Sequence, residues 1–167
     1  MAIAFNINDM VVYPAHGVGQ VIARETQKIG GIELDVFVVF FGKEKMTLRV
    51  PVNRAIACGL RPIANTEEMN KVISIIQSKP KSNRGMWSRR AKEYDTKINS
   101  GNLIDIAEVL RDLHKNVTDN PDCSYSERTV FELALQRLAA EYAAIKSLAV
   151  QEAMEEILSI LRERIYA

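Results

Sequence analysis

The chain has 167 residues, 47% hydrophobic and 26% charged, with 22 basic against 21 acidic side chains and a formal net charge of +1. A chain of this length buries roughly 70% of its unfolded surface, as one generous domain or two small ones, without needing disulfides or metal. Near neutrality argues against a strongly basic nucleic-acid coat protein or an acidic disordered tail. The longest apolar run, Val36 to Phe41, is far short of the roughly 20 residues a membrane helix needs.

The N-terminus has no basic lead and no cleavable apolar region, so no secretory signal is expected. Met10 to Tyr13 is a β-branched run ended by Pro14, with a turn expected at Gly17-Val18-Gly19 and a second strand beginning at Val21. Gly30-Gly31 is a hairpin signal, and Ile32 to Phe41 is the most β-prone segment. Thr47 to Val50 alternates, with Leu48 and Val50 on one face and Thr47 and Arg49 on the other; Pro51 ends the strand or marks an edge. Short strands at this spacing predict a small Tudor- or SH3-like β-barrel over residues 1–64.

From Asn65 the apolar period changes from 2 to 3.6. Met69, Val72, Ile73 and Ile76 form one helical stripe, with Asn65 or Thr66 as cap. A turn-rich segment from Lys79 to Gly85 precedes a helix expected from Trp87 or Ser88 to Asn99. Leu103, Ile106, Leu110 and Leu113 mark a third helix. Ser124 to Glu127 has capping-box spacing and opens a fourth, its stripe Leu135, Leu138, Tyr142 and Ile145. Met154, Ile157, Leu158, Leu161 and Ile165 mark a fifth, either separate or continuous with the fourth through a bend near Ser147 to Gln151. The expected class is therefore α+β in two domains, a β-barrel at 1–64 and about five helices at 65–167, with the boundary near Arg61 to Asn65.

Little in the chain points to catalysis. Gly42-Lys43 resembles the tail of a phosphate loop, but Glu44 stands where Ser or Thr is required. Gly17-Val18-Gly19 lacks the third glycine of a dinucleotide site. Cys58, Cys123, His16 and His114 have neither disulfide-framework nor zinc spacing, which fits a reduced, cytoplasmic protein. His16 reads as a turn residue, His114 as a residue suited to the negative end of a helix, and the acids of the back half as solvated helix faces. Neither an enzyme nor a bound cofactor, metal or small-molecule substrate is expected.

Charge resolved by region is more informative than its total. Residues 1–64 carry seven basic and five acidic side chains, residues 65–100 eight and four, and residues 101–167 seven and twelve. The basic excess gathers between Lys79 and Lys97, around the chain's single tryptophan, Trp87. Lys81, Arg84, Arg89, Arg90 and Lys92 supply phosphate-contacting cations there, and Met86 and Trp87 an apolar wedge of the kind that enters a base step. Trp87 is equally suited to anchoring the helix start in the core.

Three segments together, Val11 to Gly19, Thr47 to Pro51 and Trp87 to Lys92, resemble the CarD (also CdnL) family of bacterial transcription regulators in order and spacing over nearly the whole chain. The front module also resembles the RNA polymerase-interacting domain of the transcription-repair coupling factor. The resemblance implies a Tudor-like domain that docks on the β subunit of RNA polymerase. It also implies a helical domain that meets promoter DNA in the minor groove at the upstream edge of the melted bubble, with little sequence specificity. It assigns polymerase contacts to Thr47, Leu48, Arg49, Val50 and Pro51, with Arg24 and Lys28 beside Gln27, a position where some members carry a basic residue. The wedge falls on Trp87, with Arg89, Arg90 and Lys92 on neighbouring phosphates. The function so implied is stabilisation of the open promoter complex, without a membrane or an enzymatic step. A protein–protein adaptor on polymerase without DNA contact is the alternative.

Overall fold

A computed structural model of the chain describes residues 5–81, 85–119 and 124–163. Arg84, Cys123 and Ile165 lie outside the described residues. The chain divides into two compact units, Met1–Ile63 and Ala64–Ala167. The α+β class expected from the sequence is the one observed: five strands, then five helices.

The first unit contains β1 (Met10–Tyr13), β2 (Gly17–Ile29), β3 (Ile32–Phe41), β4 (Met46–Pro51) and β5 (Arg61–Pro62), with a short 3-10 turn at Val52–Arg54. All pairings are antiparallel and the spatial order is β4-β3-β2-β1-β5, so the last strand returns to pair with the first in the manner of an SH3-like barrel. Positive φ at both Gly30 and Gly31 makes the tight β2–β3 turn, as the Gly-Gly pair predicts. Alternation along the strands sends Val11, Val21, Phe37, Val39, Phe41 and Val50 into one core, with Phe5, Ala55 and Leu60 packed among them.

Two details of this unit differ from the sequence reading. The turn lies at Pro14 to His16, and β2 begins at Gly17 rather than Val21. Gly19 is needed not for a turn but for close approach: a Cβ there would sit 2.8 Å from side-chain atoms of Phe41 and Val39. The second is β5, whose two residues fall in the segment read as the boundary between the domains; a strand so short has no periodicity to detect. Between Val21 and Ala23 the β2–β3 register shifts, and the bulge leaves Ile22 exposed.

The second unit contains α1 (Thr66–Gln77), α2 (Trp87–Asn99), α3 (Leu103–Asp119), α4 (Tyr125–Lys146) and α5 (Val150–Glu163). Asn65 caps α1, its side chain accepting from the Glu68 N–H at 2.8 Å, and Ser124 caps α4 by accepting from the Glu127 N–H at 3.1 Å. The last two helices are separate. Ser147 adopts the left-handed conformation at the end of α4, and the Leu148 N–H donates back to the Ala143 carbonyl at 3.0 Å. The shared core is built from Met69, Val72 and Ile76 of α1, Tyr94 and Ile98 of α2, Leu110 and Leu113 of α3, Leu135 and Leu138 of α4, and Ile157 and Leu161 of α5. The Tyr142 hydroxyl donates to Glu156 at 2.7 Å, tying α4 to α5; burial first, then this contact, pushes the phenol up to about 12.

Two polar residues are buried in this unit. His114 is buried on α3 with its ring against Phe131, so core packing outweighs any dipole role at a helix end. Glu141, read as one of the solvated acids, is only 1% exposed. Its Oε2 accepts the Ala64 N–H at 2.7 Å, fixing the backbone where the second unit begins.

Candidate functional site

In the first unit, β4 pairs with β3 alone among the described residues and closes one end of the sheet order, so its outer main-chain edge has no strand partner there. Thr47 and Arg49 point away from the core and are exposed, as their alternation predicts. Arg49 Nε lies 3.5 Å from Glu25 Oε2, a surface ion pair across the outer face of the sheet. Leu48 is half-buried against the core and Pro51 ends the strand. Val50 does not fit the expectation of a contact side chain. It is 3% exposed, because its position in the alternation faces Phe37, and only its main chain lies at the edge.

Arg24 and Lys28 both lie exposed on β2. The Arg24 guanidinium donates to Asp35 at 3.2 Å and lies over the Phe37 ring. Thr26, whose hydroxyl also donates to Asp35 at 2.8 Å, and then Arg24 hold that carboxyl below its ordinary range. Arg24 and Arg49 are thus both cations on exposed strand faces, each already facing one carboxylate.

In the second unit, the basic segment converges on the start of α2. Trp87 is its first residue; Met86 precedes it without a side-chain cap, and no acid stands in the first turn. The indole is half-buried against the helical core, and Nε1 donates to Ser126 Oγ at 3.0 Å. The Arg90 guanidinium lies 5.6 Å from the centre of the Trp87 ring and 5.8 Å from that of Tyr94, and donates to the Tyr94 hydroxyl at 3.4 Å. Its Nε is buried with no hydrogen-bond partner among the described residues. Trp87 is therefore anchored against the helical core with part of its surface exposed. Met86 beside it is 77% exposed.

Arg89 and Lys92 extend into solvent, Arg89 forming an i,i+4 pair with Glu93 at 3.6 Å. Lys81 is exposed while its N–H donates to Asp112 at 2.9 Å, which ties the segment before α2 to α3. Arg111, buried on the same helix, donates to Ser78 at 3.1 Å. Sequence reasoning missed Ser126 and Tyr94 as supports of the indole. Ser126 stands inside a capping-box pattern whose cap is Ser124, and no local signal marks its tertiary partner.

A β-barrel unit with exposed Thr47 and Arg49 on an end strand, followed by a helical unit whose basic stretch holds a half-buried indole, defines a two-unit α+β class. Comparison with known proteins makes the class specific. The model described as "CarD-like/TRCF RID domain" matches residues 5–64, and that described as "CarD, C-terminal domain" matches residues 71–158. The chain belongs to the CarD family of transcription factors and carries its RNA polymerase-interacting domain. It is 26% identical over 144 residues to "Putative transcription factor YdeB" of Bacillus subtilis (strain 168), covering 86% of this chain and 94% of that protein. It is also similar to the solution NMR structure of the 72-residue N-terminal domain of Myxococcus xanthus CarD, at 26% identity, 37% of this chain, 83% of that chain and a TM-score of 0.32. No helix among the described residues is long and apolar enough to cross a membrane.

Proposed function

We propose that this protein docks on the RNA polymerase β subunit through residues 1–64 and contacts promoter DNA at the upstream edge of the bubble through residues 65–167, stabilising the open complex. The observation that carries the DNA half is the Trp87 geometry. A tryptophan held in place by Ser126 and Arg90, yet half-exposed next to Met86, is preorganised to meet a widened minor groove or an unstacked base. Arg89 and Lys92 are exposed cations on the same helix and Lys81 one in the segment before it, with Arg84 in the same stretch of sequence. Main-chain hydrogen bonds along β4, flanked by Arg49 and Thr47, support the polymerase half by strand addition.

The division of labour follows from linkage. Docking on polymerase raises the local concentration of a weak DNA surface, so modest intrinsic affinity is enough. If the indole fits the melted junction better than closed duplex, it shifts the equilibrium by that difference and no more. A preference of roughly 1.4 kcal/mol gives about a tenfold change in population. No base-specific readout is needed. The experiment is promoter melting by purified polymerase with and without the protein. Slower loss of open complexes supports the proposal. Equal lifetimes, with polymerase binding intact, favour an adaptor without DNA contact.

A further inference from the structure

We propose that Tyr125, the first residue of α4, is a second aromatic contact for the melted DNA beside Trp87. The inference rests on the DNA reading above and extends its site to a second helix. Among the large apolar side chains exposed on the described residues, Tyr125 stands furthest out, at 85%. It is the neighbour in sequence of Ser126, whose hydroxyl holds the Trp87 indole at 3.0 Å. The first turns of α2 and α4 therefore meet at this hydrogen bond, with Met86 and Tyr125 projecting into solvent from the residues next to its two partners.

The occupant follows from what surrounds the pair. Exposed aromatic and thioether groups, in a unit whose α2 also exposes Arg89 and Lys92, match the chemistry of an unpaired strand, whose bases offer apolar faces and whose phosphates offer charge. A protein helix docking here would need a continuous apolar stripe, and the exposed residues of α2 are polar or charged apart from Met86 at its start. The hydrogen bond at 3.0 Å brings the residue next to Tyr125 against the indole, so the two aromatic side chains belong to one region of the unit and can engage the same strand. The Tyr125 side chain plays no part in the helical core, so removing it leaves the indole support in place.

The test uses the full chain, a labelled duplex opened into a fork at one end and the same duplex fully closed, followed by anisotropy at fixed low salt. Trp87 is the only tryptophan, so its emission reports the indole's own environment in each variant. Tyr125→Ala is expected to weaken fork binding about fivefold or more, the low end of base–aromatic stacking, with closed-duplex affinity within about twofold of the wild type. Tyr125→Phe is expected to retain fork binding, and the emission of free Tyr125→Ala to match that of the wild type. Wild-type affinity of Tyr125→Ala for the fork, while Trp87→Ala loses it, would overturn the inference and leave the DNA reading standing. If Trp87→Ala also binds the fork like the wild type, the DNA reading falls and Tyr125 falls with it.

Discussion

Replacing Trp87 by alanine separates its packing in the helical core from the DNA contact proposed for it. Half-burial against the helical core puts the packing loss at about 2 kcal/mol, below the 3–5 kcal/mol of a fully buried aromatic. Loss of the hydrogen bond to Ser126 adds roughly 0.5–1 kcal/mol, and loss of the Arg90 stack a similar amount. A total near 3 kcal/mol lowers the midpoint of the helical unit by at least about 10 °C, measurable by calorimetry. The variant still folds well below that midpoint, and its polymerase binding should equal that of the wild type, because the open β4 edge belongs to the other unit. Open-complex lifetime, followed by competitor challenge on a promoter with slow melting, should then fall toward the value without the protein. Ser126→Ala is the graded control: it keeps the ring, removes only its tether and should lose part of the effect. A folded Trp87→Ala protein that sustains wild-type open-complex lifetimes would refute the wedge role.

Three other outcomes follow from separate parts of the structure. Arg49→Glu places a second carboxylate against Glu25 on an exposed face, costs about 0.5 kcal/mol or less in stability, and should abolish polymerase capture in a pull-down with the purified β subunit. Thr26→Ala removes the largest contribution lowering the Asp35 pKa, so an NMR titration should show it rise toward 3.8. With the native pairing, the stability gained from Asp35 is complete above its unfolded value and is lost as pH falls through the depressed folded one, so the variant should lose part of this acid dependence. Glu141→Ala strands the Ala64 N–H and opens a cavity; about 3 kcal/mol of stability should go, seen in urea denaturation, whereas Glu141→Gln keeps an acceptor and should cost less.

The elements legible in the sequence were those with local causes. Asn65 and Ser124 announce their helices because a cap acts within four residues, and α2 starts and stops where Trp87 and Ser100-Gly101 place it. Gly30-Gly31 fixes the hairpin for the same reason. What was illegible depends on distant partners. Gly19 resembles a turn glycine until Phe41 crosses above it, and Glu141 resembles a surface acid until Ala64 arrives from 77 positions away. The site divides along the same line. Cations around a lone tryptophan can be read from composition, but the hold that Ser126 exerts on that tryptophan exists only once α2 and α4 are packed. At Val50 the motif position carries a side chain that packs in the core, which leaves its main chain at the strand edge.

The arrangement of charge at the start of α2 bears on why a chain of net charge +1 is suited to a nucleic-acid surface. Cations in a helix's first turn oppose the macrodipole, each costing about 0.3–1 kcal/mol where exposed, and α2 carries Arg89 and Arg90 there with no acid and no side-chain cap. Part of that cost is relieved internally. Arg89 finds Glu93 one turn on, a pair worth only a few tenths of a kcal/mol at the surface, and Arg90 lies against the Trp87 and Tyr94 rings. A phosphate at this end reverses the sign of the remainder, since dipole and guanidinium groups then attract the same anion. On the proposed reading, the surface is therefore mildly unfavourable when empty and favourable when filled, which concentrates differential binding at one place. The twelve acids against seven cations of residues 101–167 hold down the attraction of the rest of the molecule for DNA. On the same proposal, whole-chain neutrality and a local DNA site are not in conflict: the first would keep the protein off bulk duplex, and the second would act where polymerase has already brought a melted junction.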